Sequence, residues 1–454
     1  IGSRHDQWAA VSLYVLSRYF QTYYPHAVWQ KNLEAARHYF SPIAHSFQVA
    51  GELDHLWWYT TSYEPLVTYM ILSGDRRGVE SGNLQVLLRG FDLLVDGKRD
   101  GTYLRQLSLT FAHKCAYLTG DGRFLYYRDL TSLDTNVFRI GQSFWPTIAA
   151  RAPEELAFKA LARPLAPEEA RASVPKIPYE QAFQFASYRT GITDHDDYLL
   201  VDGFYGGSRN PYHCLAVLHL RQGDKPLLDG YLNQVVVRQG GLVEPQVPLG
   251  AALTRCRALG KVGYLEAVVP DMAFGHWRRS IVHLADRWTL IVDGFQARED
   301  ARNLELAVQW ELPVTPSLTE DGCLAYKVGD REARLVPWVR APMETNGRVA
   351  ICALQADLRK GEGVDMATAL GLTPAKEDLM CARAGNGAAI VSDGSPVLAV
   401  WGKEDVASEG ETTAHLALIG QEALYGAEVR RLWVGALLLE ADRPLDVYWD
   451  LASG

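Results

Sequence analysis

The sequence predicts an α+β multidomain protein in which a helical N-terminal half precedes antiparallel β-sandwich sheets. In residues 1–150 apolar side chains recur three or four positions apart, as at Trp8, Val11 and Val15, which is the period of an amphipathic helix. From Tyr179 onward the chain consists of short β-branched runs bounded by Gly, Asp or Pro, such as CLAVLHL, NQVVVRQ and RWTLIVDGF. Helices and strands that follow one another in blocks favour an α+β architecture over an alternating one.

A weak internal repeat indicates how the helices are arranged. ILSGDRR (71–77) and YLTGDGR (117–123) are offset by 46 residues, and each follows an apolar helical run. Each supplies a glycine at a helix end, where a left-handed residue is favoured. A period of this length fits one helical hairpin per repeat, so stacked or circularised hairpins are expected. A chance match of two short segments is the alternative.

Composition divides the chain into four segments. Residues 1–150 are the helical unit, and residues 151–178, rich in Ala, Pro and Glu and ending in VPKIP, indicate a linker with a helical segment. Residues 179–345 are expected to form the antiparallel β-sandwich domain. Residues 346–454 are expected to form a smaller C-terminal β region, which contains PVLAVWGK and RRLWVGALLLE.

Bulk properties exclude several classes of function. The net charge is −9 with no run of Lys and Arg, so no nucleic-acid partner is expected. The six cysteines lie far apart without a CxxC pair, which argues against a disulfide scaffold and a zinc ribbon. No stretch of 18 apolar residues is present, so no membrane span is expected. The chain begins with Ile1 and shows no signal peptide, which suggests a processed or truncated form or part of a longer chain.

An aromatic segment in the helical half is a candidate ligand-binding wall. GELDHLWWYTTSYEPLVTYMILSGD (51–75) places His55, Trp58, Tyr59 and Tyr63 within nine positions. A helix core favours Leu and Ala, and buried indole and hydroxyl groups need hydrogen-bond partners. A cleft wall satisfies these groups with ligand or water. An ordinary aromatic core stripe is the alternative.

Two polar clusters precede strands in the β half. The first contains Arg209, Asn210, Tyr212 and His213 ahead of CLAVLHL, and Asp229 ends the next apolar segment. A hydrogen-bonded structural histidine is the alternative for His213.

The second cluster leads into the strand SIVHL. It contains His276, Arg278 and Arg279, for which the alternative is an exposed strand edge whose charges block aggregation. The sequence contains no GxSxG elbow, no P-loop, no HExxH and no GxGxxG after a strand.

In their order and spacing, these stretches resemble the heparinase II/III-like polysaccharide lyases and their alginate-lyase relatives, which have an incomplete (α/α) toroid followed by antiparallel β-sheets. SRHDQWAAVSLYVLSRYF resembles the toroid helix whose N-terminal Asn or His faces the uronate, and HLWWYTTSYEPL resembles the segment with the catalytic tyrosine. NPYHCLAVLHLRQGDKPLLDGY and HWRRSIVHLADRWTLIVDGF resemble strands of the β domain. NPYHC departs from the family's GHxHxD motif. Because the helical half is short for such a toroid, an N-terminal part is expected to be missing.

The resemblance implies β-elimination on a uronic-acid polysaccharide, either a glycosaminoglycan such as heparan, chondroitin or hyaluronan, or alginate. It assigns His5, assisted by Arg4, to neutralising the uronate carboxylate. Tyr59 is implied as base, acid or both, with Tyr63 as its rival one helical turn away. His213 is implied as a base or neutraliser from the β half. Secretion or a bacterial periplasmic location follows from the same resemblance.

The resemblance also implies substrate contacts and leaves a metal open. The implied substrate contacts are Arg4, His55, Trp58, Tyr63, Arg209, Asn210 and Tyr212. The chemistry requires no cofactor, but some relatives hold a divalent metal in the β domain. Transferred to this chain, the ligands would be His213, Asp229 and His276, and imidazole with carboxylate suits zinc or manganese.

Two other functions remain open from the sequence. A glycoside hydrolase on the same scaffold needs two carboxylates about 5–10 Å apart, for which Asp54 with Glu64, or Asp6 with Glu52, are the candidates. A non-catalytic carbohydrate-binding protein would use the aromatic wall alone. The sequence carries no signal for the oligomeric state.

Overall fold

The structure is a computed structural model, and it describes the following residues: 4–41, 56–82, 84–85, 93–94, 103–130, 148–152, 159–164, 177–178, 181, 183–191, 193, 195–203, 215–230, 232–243, 250–272, 274–338, 343–373, 378–385, 387–401, 416–421, 423–434 and 437–451.

Helices occupy the N-terminal part of the chain. Within the described ranges they are α1 (Arg4–Tyr23), α2 (Ala27–Tyr39), α3 (Leu56–Ser73), α4 (Arg77–Glu80), α5 (Tyr103–Thr119) and α6 (Arg123–Leu130). Helix α1 packs against α2 and α3, and α5 packs against α3 and α6. None of the helices in the described ranges is long and apolar enough to span a bilayer. The toroid that the family resemblance implies is not evident among these helices.

The sequence repeat corresponds to a repeated helix end, as predicted. Helices α3 and α5 are each followed by a glycine with positive φ, at 73° for Gly74 and 71° for Gly120. Each glycine N–H bonds to the carbonyl four residues earlier, at 3.0 and 2.9 Å. Only glycine adopts this φ without strain. In each copy an Asp–Arg ion pair closes the turn into the next short helix: Asp75–Arg77 and Asp121–Arg123.

A buried ion pair joins α3 to α5. The Lys114 ammonium donates hydrogen bonds to the Glu64 carboxylate and, at 2.9 Å, to the Thr68 hydroxyl. The side chains of Glu64 and Lys114 are only 8% and 10% exposed. Burial raises the pKa of Glu64, and the charge and hydrogen bond of Lys114 lower it by less, so the pKa stays above its ordinary value. Each charge therefore depends on the other for its stability in the helical core.

Strands fill the rest of the described chain. They are β1 (Lys159–Pro164), β2 (Phe183–Arg189), β3 (Tyr198–Asp202), β4 (Val217–Gln222), β5 (Lys225–Asp229), β6 (Gln234–Gln239), β7 (Leu242–Val243), β8 (Ala252–Leu259), β9 (Val262–Met272), β10 (Gly275–Leu284), β11 (Trp288–Ala297), β12 (Ala301–Glu311), β13 (Ser317–Leu318), β14 (Leu324–Val328), β15 (Arg331–Pro337), β16 (Met343–Asn346), β17 (Val349–Leu358), β18 (Gly363–Leu372), β19 (Met380–Gly385), β20 (Ala388–Ser392), β21 (Val397–Trp401), β22 (Leu416–Gly420), β23 (Ala423–Val434) and β24 (Leu437–Asp450).

These strands form four antiparallel sheets in the described part of the chain. Sheet 1 has the order β1-β2-β3-β4-β5, and sheet 2 has the order β13-β14-β15-β18-β11-β10-β9-β8. Sheet 3 has the order β16-β17-β12-β6-β7, and sheet 4 runs from β19 to β24 in chain order. The antiparallel sandwich predicted from the β-branched runs is therefore confirmed.

Sheet 2 is the middle layer of the β part. Successive side chains of a strand point to opposite faces. On β11, Ile291 and Phe295 join the apolar core that sheet 2 shares with sheets 1 and 3. Leu290 and Val292 join a second core, which sheet 2 shares with sheet 4. Because both faces are covered, the runs of sheet 2 are apolar on both sides.

The helices pack on the face of sheet 1 that is turned away from sheet 2. Phe185, Leu200 and Leu218 belong to the apolar core of the helical unit. The Tyr198 hydroxyl and the Arg189 guanidinium both donate hydrogen bonds to the Leu93 carbonyl, at 2.6 and 3.0 Å. Sheet 1 is thus the layer between the helices and the sandwich.

Two predicted segment limits differ from the structure. Lys159–Pro164, inside the linker predicted at 151–178, is strand β1 rather than helix because it pairs with β2. The sandwich also runs past residue 345, the predicted limit, to Leu372. The reason is long-range pairing: β17 pairs with β12, and β18 pairs with β11.

A buried carboxylate ties the approach to β3 to sheet 2. Asp197 Oδ2 lies 2.8 Å from His283 Nε2 and accepts the Asp286 N–H, while Oδ1 accepts the Gly223 N–H. Burial raises the pKa of Asp197, but the hydrogen bond and charge of His283 and the two N–H groups lower it by more, so the pKa falls below its ordinary value.

We expect Lys114→Met to lower the free energy of unfolding by about 3–5 kcal/mol, because it leaves the Glu64 carboxylate buried without its cation. Glu64→Leu combined with Lys114→Met should recover most of this loss, since it removes both charges. Lys31→Met, at an exposed site on α2, is the matched control. Urea unfolding measures all three, and equal losses in the single and double variants would contradict the prediction.

We expect Asp197→Asn to cost about 3 kcal/mol of unfolding free energy at neutral pH. The lowered pKa means that the carboxylate stabilises the fold above the unfolded-state pKa of about 3.9. This contribution is lost as the pH falls below that value through the lower folded-state pKa. The difference in unfolding free energy between wild type and Asp197→Asn should therefore disappear in acid. Asp286→Asn is the exposed control, and a gap that stays constant from neutral pH to acid would refute the linkage.

Candidate functional site

Helices α1 and α3 run parallel with a fixed offset along the chain. The rings of Tyr14 and Tyr69 meet edge to face, with centroids 5.2 Å apart. One turn further on, Arg18 Nη1 donates a hydrogen bond to the Leu72 carbonyl at 2.6 Å. Contacting positions are therefore 55 and 54 residues apart. Since both contacts progress in the same direction, the two helices point the same way.

Helix α1 begins at Arg4 and α3 at Leu56, so their first turns lie at the same end of the pair. If the offset of 54 continues through Pro65, which lies inside α3, position 5 pairs with position 59. The first turn of a helix carries unpaired N–H groups and the positive end of the helix dipole, which favours an anion.

The sequence-predicted residues of the helical half occupy these first turns. His5 is exposed in the first turn of α1. Arg4 is the first residue of α1, and Trp58 and Tyr59 lie in the first turn of α3. The side chains of these last three residues lie outside the described part of the structure. The proximity of His5 and Tyr59 therefore stays a prediction.

Tyr63 does not fit the predicted role of substrate contact. Its side chain is 3% exposed and belongs to the apolar core of the helical unit. A ring that is buried in this core cannot lie along a polysaccharide. For Tyr63, the aromatic core stripe was therefore the correct alternative.

Of the carboxylates suggested for a glycoside hydrolase, the structure describes Glu64 and Asp6. Glu64 is buried and forms an ion pair with Lys114. Asp6 is exposed on α1, and Glu52 and Asp54 lie outside the described residues. A buried carboxylate with an ammonium partner cannot protonate a glycosidic oxygen in a cleft, so Glu64 is not the acid that this mechanism needs.

Five further predicted site residues lie outside the described residues. They are His55 in the helical half and the first polar cluster of the β half, Arg209, Asn210, Tyr212 and His213.

The described chain resumes two positions after His213, at a strained residue. Leu215 has φ 64° and is fully buried. A positive φ in a residue other than glycine costs on the order of 1–3 kcal/mol and persists only where the surroundings hold it. Here the Leu215 N–H bonds to the Asp202 carbonyl, and its own carbonyl accepts from Arg279 Nη1, both at 2.7 Å. The backbone at Leu215 is therefore held in one conformation.

Arg279 is the group that holds this segment. It is completely buried, and its Nε and Nη2 donate to the two oxygens of Asp293 at 2.7 and 3.0 Å. Its Nη1 donates to the carbonyls of Leu215 and Asn233. The exposed-edge alternative is wrong for Arg279, because β10 is an inner strand between β9 and β11. The sequence signal for Arg279 was a charged residue that alternates with apolar residues along a strand. This pattern does not tell which face of the strand is buried.

The structure does not bring Asp229 and His276 together as metal ligands. Asp229 lies on the helix side of sheet 1, where its Oδ1 is 3.9 Å from His219 Nδ1, and His219 stacks on Tyr198. His276 is exposed on the face of sheet 2 that is turned toward sheet 4. A core separates them, so they cannot hold one ion. Among the described residues, no group of three His, Cys, Asp or Glu side chains could bind a metal.

No known protein family and no curated protein matches the sequence. Several solved structures do resemble the fold. One is a heparan sulfate lyase HepC mutant from Pedobacter heparinus, with 9% identity and TM-score 0.56, over 92% of this chain and 63% of that one. A heparinase III matches with 9% identity and TM-score 0.57, over 99% and 68%.

A second heparinase III, with methylated lysines, matches with 8% identity and TM-score 0.58, over 99% of this chain and 65% of that one. The chain thus spans about two thirds of the length of these proteins. At this level of identity the likeness concerns the fold alone. The chain shares the fold of these heparan sulfate lyase structures.

Proposed function

We propose that the chain is a polysaccharide lyase that cleaves a uronic-acid-containing polysaccharide, a glycosaminoglycan or alginate, by β-elimination. The observation that carries the proposal is the parallel packing of α1 and α3, the helices whose first turns contain His5 and Tyr59. The shared fold with heparan sulfate lyase structures supports the same reaction class.

The reaction needs three groups. The proton at C5 of the uronate is weakly acidic, so the neighbouring carboxylate must first be neutralised. A base then removes that proton, and an acid protonates the departing glycosidic oxygen. The C5–H bond breaks, a C4–C5 double bond forms, and the bond from C4 to the glycosidic oxygen breaks, without water as a reactant.

His5 neutralises the carboxylate in this proposal. It is exposed in the first turn of α1, where the helix dipole favours an anion. A second helix N-terminus at the same end adds to the positive potential. Arg4, beside it in the chain, is the assisting cation.

Tyr59 is the base that removes the C5 proton and the acid that returns a proton to the leaving oxygen. An unperturbed tyrosine has a pKa of about 10. To act as the base, Tyr59 needs nearby positive groups that favour the phenolate over the neutral ring. A single tyrosine can serve both steps when base and leaving group lie on the same face of the sugar.

His213 acts from the β half as a second base or neutraliser. Support comes from Arg279 and Leu215, which hold the chain two residues away in one direction. No step of this mechanism requires a metal. An anionic polysaccharide is the partner, and a secreted or periplasmic location suits it.

The reaction is tested with heparan sulfate, chondroitin sulfate, hyaluronan and alginate by following the ultraviolet absorbance of the unsaturated uronate. New absorbance is expected with at least one of them. Reducing ends without absorbance would favour a hydrolase. Binding without either signal would favour a non-catalytic carbohydrate-binding protein.

We expect Tyr59→Phe to lower kcat by about 10²–10⁴-fold, the usual contribution of general acid–base catalysis. KM should change little, because the ring remains. Steady-state kinetics on the best substrate measure both constants, and Tyr23→Phe, at an exposed site on α1, is the control. A Tyr59→Phe enzyme with full activity would remove Tyr59 from the mechanism.

We expect His5→Ala to lower kcat by about 10²–10³-fold, because it removes charge stabilisation that matters most as the enolate develops. His5→Gln should retain part of the activity through its amide donor. His38→Ala, at an exposed histidine of α2, is the matched control. If His5→Ala raised KM alone and left kcat intact, His5 would be a binding residue without a role in the transition state.

A further inference from the structure

A polar cleft lies between sheets 2 and 4, on the side of sheet 2 that faces away from the helices. Its volume is about 620 Å³, within the range of roughly 300–1,000 Å³ that is usual for ligand sites. The polar side chains and the ring that matter here are His276, Arg278, Gln296, Trp338, Asp365 and Arg383. The mechanism proposed above uses none of them.

The charge in this cleft is opposite to that of the whole chain. Two guanidinium groups and an imidazole face one carboxylate, Asp365, among the described lining residues, whereas the chain carries a net charge of −9. A cleft with one sign of charge concentrates ligands of the other sign. The expected ligand is an anion.

Asp365 and Arg278 are held as a pair at the floor of the cleft. Arg278 Nη2 lies 3.3 Å from Asp365 Oδ1, and Asp365 Oδ2 accepts a hydrogen bond from Trp401 Nε1 at 3.3 Å. The Arg278 side chain is still 33% exposed. The pair is therefore oriented but open to the solvent.

Arg383 reaches the cleft from sheet 4. It is exposed, and its guanidinium carbon lies 5.4 Å from the centre of the Trp338 ring. Cation–π contact of this kind orients a guanidinium. Two guanidinium groups from different sheets thus border one space.

Gly294 keeps this space open. A Cβ at this position would lie 2.6 Å from Asp365 Oδ1 and 3.0 Å from Arg278 Nη2. Any side chain would displace the pair. The substitution Gly294→Ala therefore fills the floor of the cleft without removing a charge.

We propose that this cleft binds one anionic sugar unit of the polysaccharide, away from the lyase site. The sulfate or carboxylate of the sugar pairs with Arg278 and Arg383, since guanidinium groups recognise both anions with two parallel hydrogen bonds. Sugar hydroxyls donate to Asp365 and accept from Gln296. Asp365 repels a bare inorganic anion but accepts from a hydroxyl, which favours a sugar acid over free sulfate. The proposal rests on the proposed function only for the class of polymer.

Calorimetric titration of the whole chain with disaccharides tests the cleft. The sugars already carry the unsaturated uronate, so no elimination step can cleave them and binding is separate from turnover. We expect Arg278→Ala with Arg383→Ala to reduce the number of bound disaccharides by one. We expect Arg383→Ala alone and Gly294→Ala each to weaken binding at this cleft at least tenfold. Arg302→Ala, at an exposed arginine on β12, is the control.

Three further titrations identify the ligand chemistry. Tighter binding of a sulfated than an unsulfated disaccharide assigns the anion as sulfate, and equal binding assigns it as the carboxylate. Cellobiose, which is neutral, and sodium sulfate are expected not to bind. Wild-type stoichiometry in the double variant, or equal binding of cellobiose, would overturn the proposal. The double variant should keep the wild-type kcat on a short substrate. Loss of kcat would mean that the cleft is part of the lyase site, which contradicts the proposal.

Discussion

The buried pair of Arg279 and Asp293 is the interaction on which the layered structure depends. Arg279 has no exposed surface, and its donors reach Asp293 on the neighbouring strand and two backbone carbonyls, those of Leu215 and Asn233, outside sheet 2. One guanidinium therefore joins the middle sheet to the chain that enters β4 and to the chain that enters β6. Trp277 adds an indole N–H to the same carboxylate. The strained Leu215 persists because this network holds its carbonyl.

Sheet 2 separates two surroundings. The helices and sheet 1 lie on one side. The arginine cleft between sheets 2 and 4 lies on the other. Neighbouring positions of a single strand serve the two sides, because Arg279 points into one core and Arg278 into the opposite cleft. A polymer bound at both places would have to pass around the edge of the sandwich.

The sequence predicted what depends on local pattern and missed what depends on distant pairing. The glycine helix ends of the 46-residue repeat were predictable because a left-handed residue is a local requirement. The burial of Arg279 was not, because a charge next to apolar residues reads the same on an edge strand and on an inner one. The partnership of Glu64 with Lys114 joins residues 50 positions apart, and neither has a distinctive neighbourhood. The extension of the sandwich beyond residue 345 likewise rests on pairing between remote strands. For the candidate site, the sequence order indicated the segments of His5 and Tyr59, and the parallel packing of α1 and α3 became visible only in the structure.

The Tyr14–Tyr69 and Arg18–Leu72 contacts also decide which sequence changes the site can tolerate. Because packing sets the alignment of α1 and α3, the number of residues that connect the helices can change at little cost. An insertion of one residue inside α1, between His5 and Tyr14, is different: it would rotate His5 by about 100° around the helix and carry it off the shared end. Length variation among relatives of this chain should therefore collect between the helices and be rare within their first three turns.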